Sequence, residues 1–293
     1  IIDCNDTTRA FLFNDGEDAS SLVLGFTIRN VHTTVSSGAI MCIGSSPEIS
    51  NCIITQCESP EGGAIGCYSN ANPNVTNCLM TDCSVTGDGG AVYIESSSPS
   101  FVNCTLSDNN AVNGGGMYFD GGNVSLTNLI IWGNSASGAG DNLQVESGEL
   151  DAVFCDIQTG GSVYPGTGNI NVDPGFETGP GGSYYLDFTP GTGCIDGGGA
   201  QAFGICPEPY SDDTCLDTMT TRIDNVTDSG LVDMGFHYPV IDGVIPTAIP
   251  TSTPTPNATH TPTPTPTSTW TSTPTPTPTP IFGDTCEEPL SIM

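Results

Sequence analysis

The sequence predicts an all-β chain: a right-handed single-stranded parallel β-helix, a solenoid, followed by an extended Pro/Thr-rich polyproline II stalk. Three observations carry that prediction. Four stretches align with one another: SSGAIMCIGSSPEISNCIITQC, EGGAIGCYSNANPNVTNCLMTDC, DGGAVYIESSSPSFVNCTLSDN and NGGGMYFDGGNVSLTNLIIWGN, with a degraded copy from GAGDNLQVESG. Apolar columns run through them. Ile2, Ile28, Ile54, Met80, Leu106, Ile131 and Ile157 recur at steps of 25 or 26. Finally, from Ile245 to Pro280 the composition shifts to 15 Thr, 11 Pro and 3 Ser among 36 residues.

The repeat sets the first domain, residues 1–243. Two further columns accompany the first: Phe26, Cys52, Cys78, Cys104, Leu129, Cys155, and Ile40, Ile65, Val92, Met117, Leu143. Each repeat alternates apolar residues in short stretches separated by Gly, Ser, Asn and Pro, which is strand chemistry punctuated by turns. No stretch sustains a 3.6-residue period, so helices should be scarce. A repeat of this length fits one three-sided turn of a parallel β-helix. Equivalent residues then stack at strand spacing, and aliphatic ladders fill the interior. The Gly-Gly-Ala corners permit positive φ and close approach. Asn109 and Asn134 share a corner column, where an amide satisfies turn backbone. About eight or nine coils would give an axial length of roughly 40 Å.

Composition narrows the partners. There are 33 acidic residues against three arginines, Arg9, Arg29 and Arg222, and the formal net charge is -30. That charge argues against nucleic acid and against docking on anionic membranes. It suits solubility, divalent cations or basic partners. No run of 18 apolar residues occurs, so no membrane insertion is expected in this segment. The chain does not begin with Met and shows no leader, which reads as a mature or trimmed exported chain.

Thirteen cysteines are many for a reducing cytosol. Cys52, Cys78, Cys104 and Cys155 fall in one interior column and read as small apolar side chains. Cys57 and Cys83 share a second column, as do Cys42 and Cys67. Coil spacing would put their Cα atoms about 5 Å apart, within disulfide reach, so inter-coil bridges stand as candidates beside free thiols. Cys206 and Cys215 flank an irregular loop and are expected to be disulfide-bonded.

These residues also resemble a known group. The Gly-Gly-Ala-Ile corner followed by a strand ending in Asn is similar to the repeats of chlamydial-type polymorphic outer-membrane proteins, and to bacterial right-handed β-helix surface proteins at large. NINVDPGFETGPGGSYYLDFTPGTGCIDGGG (169–199) resembles the closing coils of secreted β-helix proteins with variable C-terminal anchors, and LVDMGFHYP (231–239) resembles their terminal signature. The resemblance covers most of residues 1–240. It implies a β-helix, an exported location, and a surface, adhesive or structural role.

Residues 244–280 form the stalk. Thr-Pro alternation supports neither helix nor sheet, because Pro lacks a donor and fixes φ. Extended polyproline II would reach up to roughly 110 Å. Dense Thr beside Pro suits O-glycosylation, at Thr251, Thr253, Thr255, Thr261, Thr263, Thr265, Thr273, Thr275, Thr277 and Thr279; an unmodified spacer is the other reading. N-glycosylation sequons occur at Asn5, Asn74, Asn103, Asn123, Asn225 and Asn257. Several lie inside expected strands, which leaves Asn225 and Asn257 as the candidates. Residues 281–293 regain apolar character and carry Cys286, as a tail or the opening of a further module.

Parallel β-helices include pectate lyases and polygalacturonases. Three arginines in no lyase-like context, and absent Asn-Thr-Asp, Asp-Asp and Gly-His-Gly motifs in a galacturonase arrangement, argue against both. Asp212-Asp213 reads as a solvated loop. His32 falls in a turn, His260 in the stalk and His237 in the terminal signature, where a structural role is expected. No cofactor is expected; structural calcium at a corner such as Gly87-Asp88-Gly89 is the one candidate.

The expectation is therefore a non-enzymatic extracellular structural protein of the cell surface or matrix. It would self-associate through the β-helix ends, the C-terminal tail, or both. The assembly candidates are Ile1 and Ile2, where the chain opens directly on a strand, and Ile281, Phe282, Leu290 and Ile292 in the tail. An uncapped coil invites another chain. The alternative is a polysaccharide-binding or adhesin module contacting glycans or other cells, with Tyr68, Tyr93 and Tyr118 as its stacking surface.

Overall fold

A computed structural model describes residues 1–187, 193–206, 215–240 and 290–291. The chain is an all-β, right-handed parallel β-helix of about 6 turns. Its coils run from strand Ile2–Asp3 to strand Asp156–Ile157. Every coil-to-coil pairing is parallel, and the expected column appears as a register: Ile2, Ile28, Ile54, Met80, Leu106, Ile131 and Ile157 face one another in turn. All seven are buried. Six turns at strand spacing give an axial length of about 29 Å.

The turns carry three strands each, as Thr27–His32, Ile40–Ile43 and Glu48–Ser50 do, except one that is split into four. That turn comprises Leu79–Thr81, Ser84–Val85, Val92–Glu95 and Ser100–Val102. A left-handed residue stands at every junction: Asp82 (φ 54°), Gly89 (70°), Ser96 (49°) and Asn103 (50°). The equivalent positions elsewhere include Asn51, Asn77 and Asn128, and Gln56 and Asp108. Asn, Asp and Gly enter this region at the least cost, which explains their monotony at the corners.

The residue after such a corner points inward and donates to the carbonyl two residues back. Cys52 bonds Ser50 O at 3.2 Å, Cys57 bonds Thr55 O at 3.3 Å, and Cys78 bonds Thr76 O at 3.5 Å. Cys83 bonds Thr81 O at 3.4 Å, Cys104 bonds Val102 O at 3.3 Å, and Cys155 bonds Val153 O at 3.3 Å. Asparagine takes over the same task in the column of Cys57 and Cys83: Asn109 Nδ2 donates to Ser107 O at 2.9 Å, and Asn134 Nδ2 to Trp132 O at 3.4 Å. Cysteine here is a small core residue with one usable donor, which adds a second hydrogen bond to carbonyls such as Ser50 O and Thr76 O that already accept from Gly25 and Asn51 N–H.

That geometry overturns the inter-coil bridges. Cys42, Cys57, Cys67 and Cys83 carry free, buried thiols. Equivalent side chains in a parallel ladder leave their strands in the same direction. Their Cβ atoms therefore stay about 4.8 Å apart, as the strands do, beyond the ~3.8 Å of a disulfide. Burial pushes the Cys67 and Cys155 thiols up to about 12, so neither is a nucleophile.

Beyond Ile157 the chain stops coiling, which corrects the expected eight or nine coils and the reading of 169–199 as closing coils. Only a partial layer follows, where Ile170 bridges Asp156 and Phe154 N–H donates to Thr167 O at 2.8 Å. The chain then returns as a lateral cover, with antiparallel pairs Glu177–Gly179 with Gly182–Tyr185, and Met219–Thr220 with Tyr238–Pro239. The cover lies on the outward side of the first face. Leu79 packs with Tyr185, Phe236 and Tyr238, and Ile130 packs with Leu186, Cys194 and Met234. The described residues up to 240 thus comprise a solenoid and a cover. The stalk, residues 244–280, lies outside the described residues.

Candidate functional site

Three features could carry function: an aromatic ladder on one face, an acidic cluster in the cover, and the two ends of the solenoid.

The ladder forms on the face built by Ile40–Ile43, Ile65–Tyr68, Val92–Glu95 and Met117–Thr127. Tyr93 and Tyr118 are register partners, with ring centroids 5.5 Å apart and planes within 4°. Tyr68 sits two residues off that register, where the partner of Tyr93 is Gly66. Its ring leans back over Gly66, where Ser37 and the ring together occupy the space that a Cβ would need, and stacks on Tyr93 at 5.5 Å. The Tyr68 hydroxyl lies 2.7 Å from Ser37 Oγ and donates to Glu61 Oε2 at 3.1 Å. Burial first, then the charges of Glu61, Glu95 and Asp88, hold the Tyr93 phenol well above its ordinary range. Two parallel rings this close are offset-stacked, since coplanar rings would collide. The tyrosines therefore cover one another's faces and offer mainly edges and hydroxyls to a ligand. As a sugar-stacking platform the ladder is weaker than the sequence suggested.

The acidic cluster joins Asp196, Asp228 and Asp233, whose carboxylate oxygens lie within 4.8 Å of one another. Two of its three carboxylates, Asp228 and Asp233, are already engaged. Asp233 accepts from Asp196 N–H at 2.7 Å and from the Thr221 hydroxyl. Asp228 Oδ2 accepts from Asp233 N–H at 2.9 Å and meets His237 Nε2 at 2.8 Å. His237 is fully buried and its other ring nitrogen lies 3.0 Å from Gly235 O. This is a structural network that fixes the cover, as expected for His237. The calcium corner behaves likewise: Asp88 Oδ1 accepts from Asn113 N–H at 3.1 Å and from Asn113 Nδ2 at 2.8 Å.

The ends differ. At the C-terminal end, strand Leu143–Val153 pairs only on its Met117–Thr127 side among the described residues. Leu143, Val145 and Leu150 are half-buried there, beside exposed Glu146, Glu149 and Asp151. A groove of about 490 Å³ opens beside that edge, lined by residues including Asn134, Asn142, Gln158 and Tyr164. At the N-terminal end Ile1 is exposed, but Ile2 pairs with Ile28 and is buried. Strand Leu290–Ser291 lies parallel against Phe11–Phe13, with Leu290 opposite Phe11. Ile281, Phe282 and Ile292 lie outside the described residues.

The remaining sequence-derived positions fall as follows. Cys206 and Cys215 are bonded, with Cα atoms 4.1 Å apart. Asn225 is half-buried at φ 60°. Asn257 and the stalk threonines lie outside the described residues. Among the other sequons Asn103 is fully buried and its Nδ2 donates to Asp233 O at 2.9 Å, so it cannot carry a glycan. Sequence reasoning passed over the column to which Asn103 belongs. Asn77 Nδ2 donates to His237 O at 3.0 Å while its Oδ1 accepts from His237 N–H at 2.7 Å, and Asn128 Oδ1 accepts from Gly199 N–H at 2.9 Å. These corner amides clamp the cover to the coils. Their signal was the Asn before Cys52, Cys78, Cys104 and Leu129. Asp156 was also missed; it is buried beneath the cover, where burial pushes its carboxyl up to about 6.

The parallel register, inward ladders and left-handed corners define a parallel β-helix solenoid. The family described as right handed beta helix region matches residues 10–157, just over half of the chain, and the chain belongs to it. No curated protein and no solved structure matches the chain.

Proposed function

We propose that this protein is a non-enzymatic extracellular structural protein of the cell surface or matrix, and that it self-associates through its β-helix ends. The observation that carries the reading is the open edge of Leu143–Val153, eleven residues long and paired on one side only among the described residues. A strand edge of that length is a template for another chain. Its natural complement is the other end of a second copy, where Ile2–Asp3, Leu22–Leu24 and the tail strand Leu290–Ser291 present a parallel layer. A heterologous contact of this kind propagates into a filament unless it closes into a ring. Two cysteine sites in disulfides, Cys4 and Cys206–Cys215, support an oxidising, exported setting. No helix among the described residues is long and apolar enough to cross a membrane. The finer likeness to polymorphic-outer-membrane-type surface proteins with a C-terminal anchor belongs to the same proposal. So does O-glycosylation of the stalk.

Electron microscopy of the natively processed protein over a concentration series tests this. Regular filaments with an axial repeat near the solenoid length are expected. Isolated short rods at every concentration would remove self-association. A second reading, adhesion to glycans or cells, draws on the half-buried tyrosine ladder. Binding of an acidic or neutral polysaccharide that is lost in Tyr93→Ala would favour it.

A further inference from the structure

Four side-chain amides form a relay that runs out of the core at the C-terminal end. Asn109 Nδ2 donates to Asn134 Oδ1 at 2.9 Å, Asn134 Nδ2 to Asn142 Oδ1 at 2.9 Å, and Asn142 Nδ2 to Gln158 Oε1 at 3.1 Å. Backbone donors fix the direction. The N–H groups of Cys83, Asn109, Asn134 and Gly133 donate to the amide oxygens of Asn109, Asn134, Asn142 and Gln158 in turn, at 2.8–3.1 Å. An N–H only donates, so every amide turns its NH₂ the same way along the relay. Hydrogen bonds joined head to tail polarise one another, which strengthens the last donor. That donor belongs to Gln158, which is half-buried and lines the groove of about 490 Å³. Its oxygen accepts twice, and its NH₂ makes no hydrogen bond among the described residues. Asp141 lines the same groove. Its Oδ1 accepts from Ala136 N–H at 3.1 Å, and its Oδ2 has no partner among the described residues. Leu143 and Tyr164, both half-buried, add apolar surface. A Cβ added at Gly160 would meet nothing within 4 Å, so the rim there is open.

A polarised donor beside a free carboxylate oxygen selects a ligand that both accepts and donates. A hydroxyl does both. A carboxylate or phosphate only accepts and is repelled by Asp141, and an ammonium only donates, so it leaves Gln158 unanswered. The apolar side of the groove suits the C–H face of a sugar ring, and the volume falls within the roughly 300–1,000 Å³ of small-ligand sites. We infer that this groove binds a neutral sugar. Its hydroxyls accept from Gln158 Nε2 and donate to Asp141, while a ring face rests on Leu143 and Tyr164. The site rests on the adhesion reading and moves its contact from the tyrosine ladder to the end of the solenoid. The groove opens beside the strand Leu143–Val153, so a bound sugar and a stacked second copy compete for one end.

Isothermal titration calorimetry of the full chain, diluted until it is monomeric, tests this with neutral oligosaccharides of glucose, galactose and mannose and with their uronic acid counterparts. Saturable binding of a neutral sugar is expected. Gln158→Glu keeps the oxygen that Gly133 and Asn142 need and removes the donor; it should weaken binding about tenfold or more with Tm and circular dichroism unchanged. The matching uronate should bind more weakly than the neutral sugar and gain affinity in Asp141→Asn, whose remaining oxygen still serves Ala136. Tyr93→Ala should change nothing. Binding that survives Gln158→Glu but is lost in Tyr93→Ala would keep the adhesion reading and overturn the groove. A native protein that prefers the uronates also overturns it, and one that binds no sugar of the panel removes both. Groove variants that alter assembly while sugar binding stays intact would mark the groove as a seat for another copy and equally refute the site.

Discussion

Replacing Asp156 by Asn should stabilise the protein at neutral pH and do nothing at pH 4. Asp156 sits at the end of an outward column, in register with Ile130, and Leu186, Cys194 and Met234 pack around that site. Its carboxylate accepts from Val172 N–H at 3.1 Å and from the Cys194 thiol at 3.2 Å. Burial outweighs those donors and, with the nearby charge of Asp173 adding to it, pushes the carboxyl from 3.8 up to about 6. The sign follows from linkage. The folded state holds this proton more tightly than the unfolded state does. The group therefore costs nothing below pH 3.8, and stability falls as pH rises from there through about 6. A shift of about two units corresponds to a ceiling of about 3 kcal/mol. Asn keeps an acceptor for Val172 and turns its NH₂ to the Cys194 sulfur, a weak acceptor, so a net gain of about 1–2 kcal/mol is expected at pH 7.5. Urea unfolding of both proteins at pH 4, 6 and 7.5 reads it directly. A variant that is equally or less stable than the native protein at pH 7.5, by the same margin as at pH 4, would show that Asp156 carries no buried-charge cost.

Two further substitutions probe the clamp and the corners. His237→Ala removes the imidazole that bonds Asp228, whose side chain is 3% exposed, and leaves Asp233 N–H as its remaining donor among the bonds described; a loss of about 1–3 kcal/mol is expected, and a loss under about 0.5 kcal/mol in thermal unfolding would contradict the network. Cys83→Asn should be tolerated within about 1 kcal/mol, since Asn109 already performs the same corner task one coil on, whereas Cys83→Ala removes both the donor to Thr81 O and its buried packing and should cost about 1–3 kcal/mol. Equal stabilities of the two Cys83 variants would sink the corner-donor account.

The coil was legible because one period governs every level. The step from Ile54 to Met80 to Leu106 is at once a sequence repeat, a ladder register and a core column. The cover was not legible, for a physical reason. A regular ladder predicts only its own continuation, and nothing in a repeat says where it stops. The stop was nevertheless written in the pairs Ile53-Ile54, Leu79-Met80 and Ile130-Ile131. A face wet on its outside would alternate apolar with polar, so two consecutive apolar residues mean that both sides of the strand are covered. Phe154 marks the last corner. It holds φ 52° where the preceding coils have Asn, and its ring fills the space beside Gly168 and Gly199 that any Cβ there would need. The cysteines were half legible. Columns gave their positions and burial, but coil spacing alone could not separate a disulfide from two parallel thiols; the direction of the Cβ bonds decides that.

Charge gives self-association its own signature, one that an adhesin binding a basic partner would not share. The open edge carries exposed Glu146, Glu149 and Asp151, and the whole chain has a formal charge of -30 against three cationic side chains. Two such bodies repel, so any end-to-end contact must be held by backbone pairing and by the half-buried Leu143, Val145 and Leu150 against charge repulsion. Screening relieves the repulsion and leaves the apolar contact intact. Raising ionic strength from about 0.01 M to about 1 M shrinks the screening length from ~30 Å to ~3 Å, and assembly should strengthen across that range. A cationic partner would respond in the opposite sense and be released. Light scattering of the purified protein along such a salt series separates the two. Growth with salt fits contact between like-charged ends, and assemblies that dissolve as salt rises would mean that attraction between opposite charges, not the open strand edge, holds them.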